Sequence, residues 1–357
     1  MPLTNQKIEQ FKRSVQLALN QEWPELAKIR QRLASVVPKP INRDAPPNLP
    51  VIGTVGTDGG ENRVVLDPIR LHMIRVACST GEIFCEDFVP LSLNPEEILR
   101  FFIKSNGRLQ RFLHFLEVEW EELTPRDSAR ATNLLQTLRE LMEWAALMRL
   151  AFDAKPKLLL RDGLLRSITL PDLIFQAIKT RFQDLTARHG HILVGVSKRS
   201  QIVNYLSTGL SLERWHEQES LFYLAIPHEL EQAAAPPAYR WSQGRTMGSL
   251  FLAKLDHGQQ VPFMPVDLAA WQADRVDEAM MLLAQNSCAS FPIRGYPRAL
   301  IDADRFARIG GLESELLEGL ILEDLAERNP AVARQAREQM MLGRRLIQSL
   351  GHETGDF

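Results

Sequence analysis

The sequence predicts an α/β fold in which a mixed β-sheet is flanked by helices, with helical extensions at both ends. Three observations carry this. Short β-branched runs follow one another closely between residues 51 and 90, as in an antiparallel meander. Between residues 157 and 206 apolar runs alternate with a helical stretch, the pattern of a parallel strand–helix–strand unit. Residues 1–37 and 312–350 show helical apolar spacing with no strand signal.

Taken in order, Ile8, Phe11, Val15 and Leu19 recur near helical spacing in the first stretch, with Pro24 expected to interrupt it. Five prolines between Pro38 and Pro50 read as an extended connector. Val51, Ile52, Thr54 and Val55 form a short strand expected to end at Asp58, where Gly59 and Gly60 allow a turn. Arg63–Asp67 and Leu71–Ser79 read as two strands joined at Asp67-Pro68, and Gly81–Pro90 as their continuation.

Asn94-Pro95-Glu96-Glu97 is a helix start: a cap residue, proline in the first turn and early acids. Asp127–Phe152 reads as a long helix with Leu134, Leu138, Leu141, Met142, Ala145 and Met148 on one face. Lys157–Leu160 is a short strand broken by Arg161-Asp162-Gly163, and Pro171–Arg188 is an amphipathic helix. His191–Val196 is a buried strand, followed by Ser197-Lys198-Arg199-Ser200 and a helix from Gln201. Leu221–Ile226, Met247–Lys254 and Val261–Pro265 supply further strands. Asp267–Asn286 and Arg298–Ile309 read as helices, and residues 312–350 as one or two more, divided near Asn329-Pro330.

Composition excludes several classes. With 357 residues, 45% hydrophobic and 24% charged, the chain is ordinary globular protein and long enough to bury a large core. A net charge of -2 gives no global pull towards nucleic acid, so any such site must be a local basic groove. Cys78, Cys85 and Cys288 form no CxxC pair, which leads us to expect a reducing cytoplasm. The opening MPLTNQKIEQFKRS has no apolar core, so no signal peptide is expected, and no apolar run of about 18 residues predicts a membrane span. There is no Walker A loop, HExxH motif, dinucleotide fingerprint or G-x-S-x-G elbow.

What remains is carboxylates at structural breakpoints. Asp58 and Asp162 each end an apolar strand beside glycine. On neighbouring strands they would crowd together, and a divalent cation would remove the repulsion. Oxygen-only ligands select Mg²⁺ or Mn²⁺, the ions that assist phosphodiester cleavage. An Asp-Gly turn is the plainer alternative at Asp58. Asp304 shares a helix face with Leu300, Ala303 and Ala307 and so points inward, whereas Asp302 projects the other way. Its partner is either a metal or an arginine. Glu143 lies opposite the apolar stripe of its helix and reads as solvated, or as a ligand if that helix packs edge-on to the sheet; Glu140 competes for the role. Lys198, between a strand and a helix start, suits a phosphate, with capping by Ser200 as the alternative. Arg294, Arg298, Arg305 and Arg308 could line a DNA groove or be ordinary surface arginines.

Four segments together resemble the NurA nuclease family: VGTDGG (55–60), LLLRDGLLRS (158–167), ILVGVSKRS (192–200) and YPRALIDADRFARI (296–309). The resemblance implies an RNase H-like core, a toroidal homodimer and Mn²⁺-dependent cleavage of DNA. It also implies 5′→3′ exonuclease and single-strand endonuclease activity in DNA end resection, with the hexameric ATPase HerA as partner. By position, Asp58 matches the first-motif aspartate, Asp162 that of the second DG motif, and Tyr296 the tyrosine of the C-terminal motif. Glu143 best matches the helix glutamate. Asp304 falls where many members carry a metal-binding histidine, and Gly60 and Leu164 replace the usual serine after each DG. These departures leave open an altered nuclease. The site set is therefore Asp58, Glu143, Asp162, Lys198, Tyr296 and Asp304, with Mn²⁺ or Mg²⁺ held by Asp58, Glu143, Asp162 and Asp304. The expected organisation is an N-terminal helical segment and connector (1–50), a nuclease domain (51–310) and a C-terminal helical extension (311–357). A non-catalytic DNA clamp for a translocase is the rival reading, and a nuclease for RNA or branched DNA a third.

Overall fold

In the computed structural model, which describes residues 4–43, 52–66, 69–124, 133–198, 206, 209–210, 215–234, 245–259 and 261–352, the chain opens with helix α1 (Asn5–Leu33). The Thr4 hydroxyl caps it, accepting from Lys7 N–H at 3.4 Å. The helix does not break at Pro24 as the sequence predicts. An interior proline costs a helix one backbone hydrogen bond and a clash with the preceding turn, which can bend a helix without ending it. A two-residue strand β1 (Lys39–Pro40) follows, and most of the proline-rich connector, 44–50, lies outside the described residues.

Strand β2 (Gly53–Leu66) does not end at Asp58 but runs fourteen residues, carrying Asp58, Gly59 and Gly60 in mid-strand. The two glycines serve close approach rather than a turn. A Cβ on Gly60 would lie 2.1 Å from the Ala307 carbonyl oxygen, and one on Gly56 2.8 Å from Leu300. β3 (Ile69–Cys78) and β4 (Ile83–Pro90) complete the expected antiparallel meander, Asp58 standing opposite Ala77. The predicted turn at Asp67-Pro68 lies outside the described residues. Asn94 caps α2 (Pro95–Ser105) in a reciprocal box with Glu97, as its sequence signals. α3 (Gly107–Leu116) and α4 (Leu134–Leu150) follow.

β5 (Lys157–Asp162), α5 (Asp172–His189) and β6 (Ile192–Val196) form the predicted strand–helix–strand unit, and β5 and β6 pair in parallel. β7 (Phe222–Ala225), α6 (His228–Ala234), β8 (Gly248–Lys254) and β9 (Met264–Ala269) come next. The helix expected from Asp267 starts later, as α7 (Val276–Ser287), after a 3₁₀ turn; Asp267 is an interior residue of β9. α8 (Arg298–Ala307), α9 (Gly311–Arg328) and α10 (Pro330–His352) close the chain, the last two divided at Asn329-Pro330 as predicted.

Among the described residues the nine strands form one mixed sheet in the order β1-β7-β8-β9-β6-β5-β2-β3-β4. The chain packs as two compact units, one of Met1–Gly56, Leu147–Ile168 and Ile178–Asp302, the other of Thr57–Ala146, Thr169–Ala177 and Ala303–Phe357. In the first, Leu158, Leu160, Val194, Val196, Val266 and Leu268 of β5, β6 and β9 pack with Met280, Leu283 and Leu300. In the second, Val64, Met73 and Ile309 pack with Leu317 and Ile321, and Leu66 with Leu322, Leu325, Ala336 and Met340, so α9 and α10 cover β2 and β3. No helix among the described residues is long and apolar enough to cross a membrane.

Candidate metal centre

Asp58 sits on β2 with its Oδ1 accepting from Gly59 N–H at 2.7 Å. Beside it Gly59 makes room for α4: a Cβ there would lie 2.3 Å from Glu143 Oε1. Glu143 is therefore not on a solvated face. It is buried, as are Leu141, Met142, Trp144, Ala145, Leu147 and Met148, because α4 is enclosed on all sides from Glu140 to Met148 rather than along one stripe. Arg139, one turn earlier, secures this junction. Its Nη1 donates to Gly59 O at 2.7 Å and to Glu143 Oε1 at 3.0 Å, and its Nε lies 3.7 Å from Glu61 Oε2. Burial alone would lower the Arg139 pKa, but the carboxylates of Glu143, Glu61, Asp58 and Glu140 raise it on balance. The His72 imidazole, 3.5 Å away, holds Glu61 below the usual carboxylate range, helped by Arg139. Glu140 turns elsewhere, to Trp144 and Thr169.

Asp162 is the last residue of β5, and Gly163 follows in the left-handed region at φ 111°, donating its N–H to Val196 O at 2.8 Å. Parallel pairing sets Asp162 level with Val196 at the end of β6. Lys198, two residues on, reaches back so that its Nζ donates to Asp162 Oδ2 at 2.8 Å. The ammonium also lies 5.1 Å from the ring centroid of Tyr296. Tyr296 is fully buried, with its hydroxyl 3.5 Å from Val196 O. Asp162, Lys198 and Tyr296 thus form one contact chain. Ser200 and the helix expected from Gln201 lie outside the described residues, up to Leu206.

Asp304 lies on α8, half-buried, between the buried Ala303 and Ala307. One carboxylate oxygen each from Asp58, Asp162 and Asp304 lies within 4.8 Å of the others. Glu143 is not part of that group; Arg139 holds it. Asp304 therefore has an arginine as well as the aspartate cluster within reach: Arg308 Nη2 stands 3.3 Å from its Oδ2. That guanidinium is 75% exposed, and such an i,i+4 pair is worth only about 0.3–0.5 kcal/mol. The donor set suits a hard divalent cation. Two oxygens on one ion, each at about 2.0–2.6 Å, stand no farther apart than about 4.0–5.2 Å, and three carboxylates supply the charge that needs neutralising. Sequence reasoning missed Arg139, although its i,i+4 spacing to Glu143 was a usable signal. It also missed the Lys198–Asp162 pair, whose partners stand 36 residues apart.

A family model of the NurA domain matches residues 53–309. No curated protein sequence matches the chain. Among solved structures, the NurA nuclease from Sulfolobus solfataricus is similar at 15% identity with a TM-score of 0.50, covering 91% of this chain and 98% of that one. A second NurA structure aligns at 12% identity and TM-score 0.45, covering 93% and 100%. A NurA bound to dAMP and manganese aligns at 13% identity and TM-score 0.41, covering 90% and 97%. The first of these likenesses shows a shared fold.

Proposed function

The chain belongs to the NurA domain family, and on that footing we propose that it is a divalent-metal-dependent deoxyribonuclease. The observation that carries this reading is the convergence of Asp58, Asp162 and Asp304. These three residues would hold the ion, Mn²⁺ in preference or Mg²⁺. When bound, it would supply Lewis-acid stabilisation of the charge on a phosphodiester undergoing hydrolysis.

The chain's own residues do the rest. Lys198 fixes the Asp162 carboxylate and keeps a positive charge, partly exposed, beside the place a phosphate must enter. The Tyr296 ring steadies that ammonium from the protein side. Arg139 holds the Gly59 carbonyl, and with it the strand segment carrying Asp58. The motif pattern supports the finer reading: 5′→3′ exonuclease and single-strand endonuclease action in DNA end resection, as a homodimer with a HerA-type hexameric ATPase; three cysteines with no CxxC pair support a cytoplasmic setting.

End-labelled single- and double-stranded DNA incubated with Mn²⁺, Mg²⁺ or EDTA tests the proposal. Cleavage is expected with Mn²⁺ and none with EDTA. Asp58→Asn and Asp162→Asn are each expected to lose at least about 100-fold, because each removes a ligand charge without changing volume. Near-wild-type activity in either variant overturns the site. Binding without cleavage under every metal condition would favour a non-catalytic clamp.

A further inference from the structure

The five residues after Asp162 are held with unusual completeness for a loop. Gly163 N–H is bound to Val196 O, Leu165 O accepts from Met247 N–H at 3.0 Å, and Ser167 N–H donates to Arg245 O at 3.2 Å. The Arg161 guanidinium donates to the carbonyls of Leu164 and Arg166. No side chain fits at Gly195, where a Cβ would lie 2.5 Å from Gly163 O and 2.8 Å from Leu165 N.

At the centre is a buried ionic cluster. Arg166 Nε and Nη2 donate to Asp267 Oδ2 and Oδ1 at 2.7 and 2.8 Å, and its Nη1 donates to Glu231. Asp267 Oδ2 also accepts from Leu165 N–H at 3.1 Å. All three side chains are buried, Asp267 completely. Such a cluster gives little net stability over an apolar core, because desolvation offsets the attraction. What it does supply is direction: a planar guanidinium locked to a carboxylate that in turn grips the loop backbone.

Resting on the metal reading above, we propose that Arg166 and Asp267 are positioning residues that set the presentation of Asp162 to the metal. Asp267 reaches from β9 and clamps Leu165, three residues beyond Asp162. Arg166 fixes the rotamer of that clamp. Groups that orient metal ligands from behind typically change metal affinity by about 10- to 100-fold when altered.

The test is Mn²⁺ titration of the full chain, with free Mn²⁺ followed by electron paramagnetic resonance, well below each variant's melting temperature. Arg166→Lys keeps the charge and loses the fork; Asp267→Asn keeps the shape and loses the charge. Each is expected to weaken Mn²⁺ binding by roughly tenfold or more. Glu231→Gln spares the fork and should stay within about twofold. Tyr223→Phe, which removes a partly buried hydrogen bond to Asp277 in the same unit, serves as the control for general loosening. A purely structural role predicts that Arg166→Lys and Asp267→Asn lower the melting temperature as Tyr223→Phe does and leave Mn²⁺ affinity unchanged; that result overturns the proposal alone. A wild-type chain that binds no Mn²⁺ overturns the metal reading, and the proposal with it. If Arg166→Lys does not fold, Asp267→Asn decides the matter by the same comparison.

Discussion

Asp304 is where residue-level chemistry is most sharply testable, because it has both an aspartate cluster and an arginine within reach. If it serves the metal, Asp304→Ala should cost activity by about two orders of magnitude, while Asp302→Ala, on the other side of the helix, should be nearly silent. Asp304→His should recover part of the activity with Mn²⁺ and less with Mg²⁺, since imidazole suits the transition metal better. If the Arg308 pair were its purpose, Asp304→Ala would change the melting temperature and leave activity per folded molecule untouched. Its inward direction was legible from the spacing of Leu300, Ala303 and Ala307, because a helix of fixed period ties position to face. The burial of Glu143 was not. Its own helix gives no sign that a second wall of the protein covers its polar side.

At the scale of elements, α9 is tied to the sheet at its first turn. Arg75 of β3 makes two hydrogen bonds to Glu313, at 2.9 and 3.1 Å, while its Nε holds Glu86 of β4 at 2.7 Å. Arg75 also donates to Arg308 O at 3.2 Å, four residues beyond Asp304. The hydrogen bond from Arg75, and then that from Gly310 N–H, lower the Glu313 pKa below its usual value of 4.5. A depressed carboxylate pKa stabilises the fold above the unfolded value, and the gain is lost as pH falls through the folded value. The melting-temperature gap between wild type and Glu313→Gln should therefore be constant near neutrality and shrink below about pH 4.5. A gap that persists undiminished into acid would rule out this linkage. Local signals made the helix capped by Asn94 and the break at Asn329-Pro330 readable. Asp267 was misread as a helix start because the partner that lets it sit inside a strand, Arg166, lies 101 residues away. Asp58 was misread as a strand end because glycines that make room look, in sequence, like glycines that turn.

For the whole molecule, a cation held by crowded carboxylates, as proposed, would make stability depend on that cation. An ion that binds only the folded state adds about 2.7 kcal/mol at one hundred times its dissociation constant. Removing one of the three charges relieves repulsion when no ion is present. Asp58→Asn, which can still accept from Gly59 N–H, should thus melt slightly above wild type in EDTA and below it in saturating Mn²⁺, a crossing visible by calorimetry. Curves that keep the same order in both conditions would argue against a shared ion. If the chain engages DNA as proposed, that binding should also fall with salt despite the net charge of -2, because local cations contacting phosphate release counterions.

The glycines of β2 have one more consequence. Gly56 and Gly60 stand about 13 Å apart along the strand at roughly 3.3 Å per residue. The backbone groups they meet, at Ala299 and at Ala307, stand about 12 Å apart at roughly 1.5 Å rise per helical residue. The two spans nearly agree, so strand and helix work like the scales of a vernier with a stop at each end. Asp58 falls midway between the stops on one scale, and Asp304 close to midway on the other. Their meeting is thus a matter of matched lengths, fixed by side chains that are not there. One residue inserted between Leu300 and Asp304 would turn the carboxylate by about 100° and take it off the mark. The same insertion after Ala307 would leave both scales aligned.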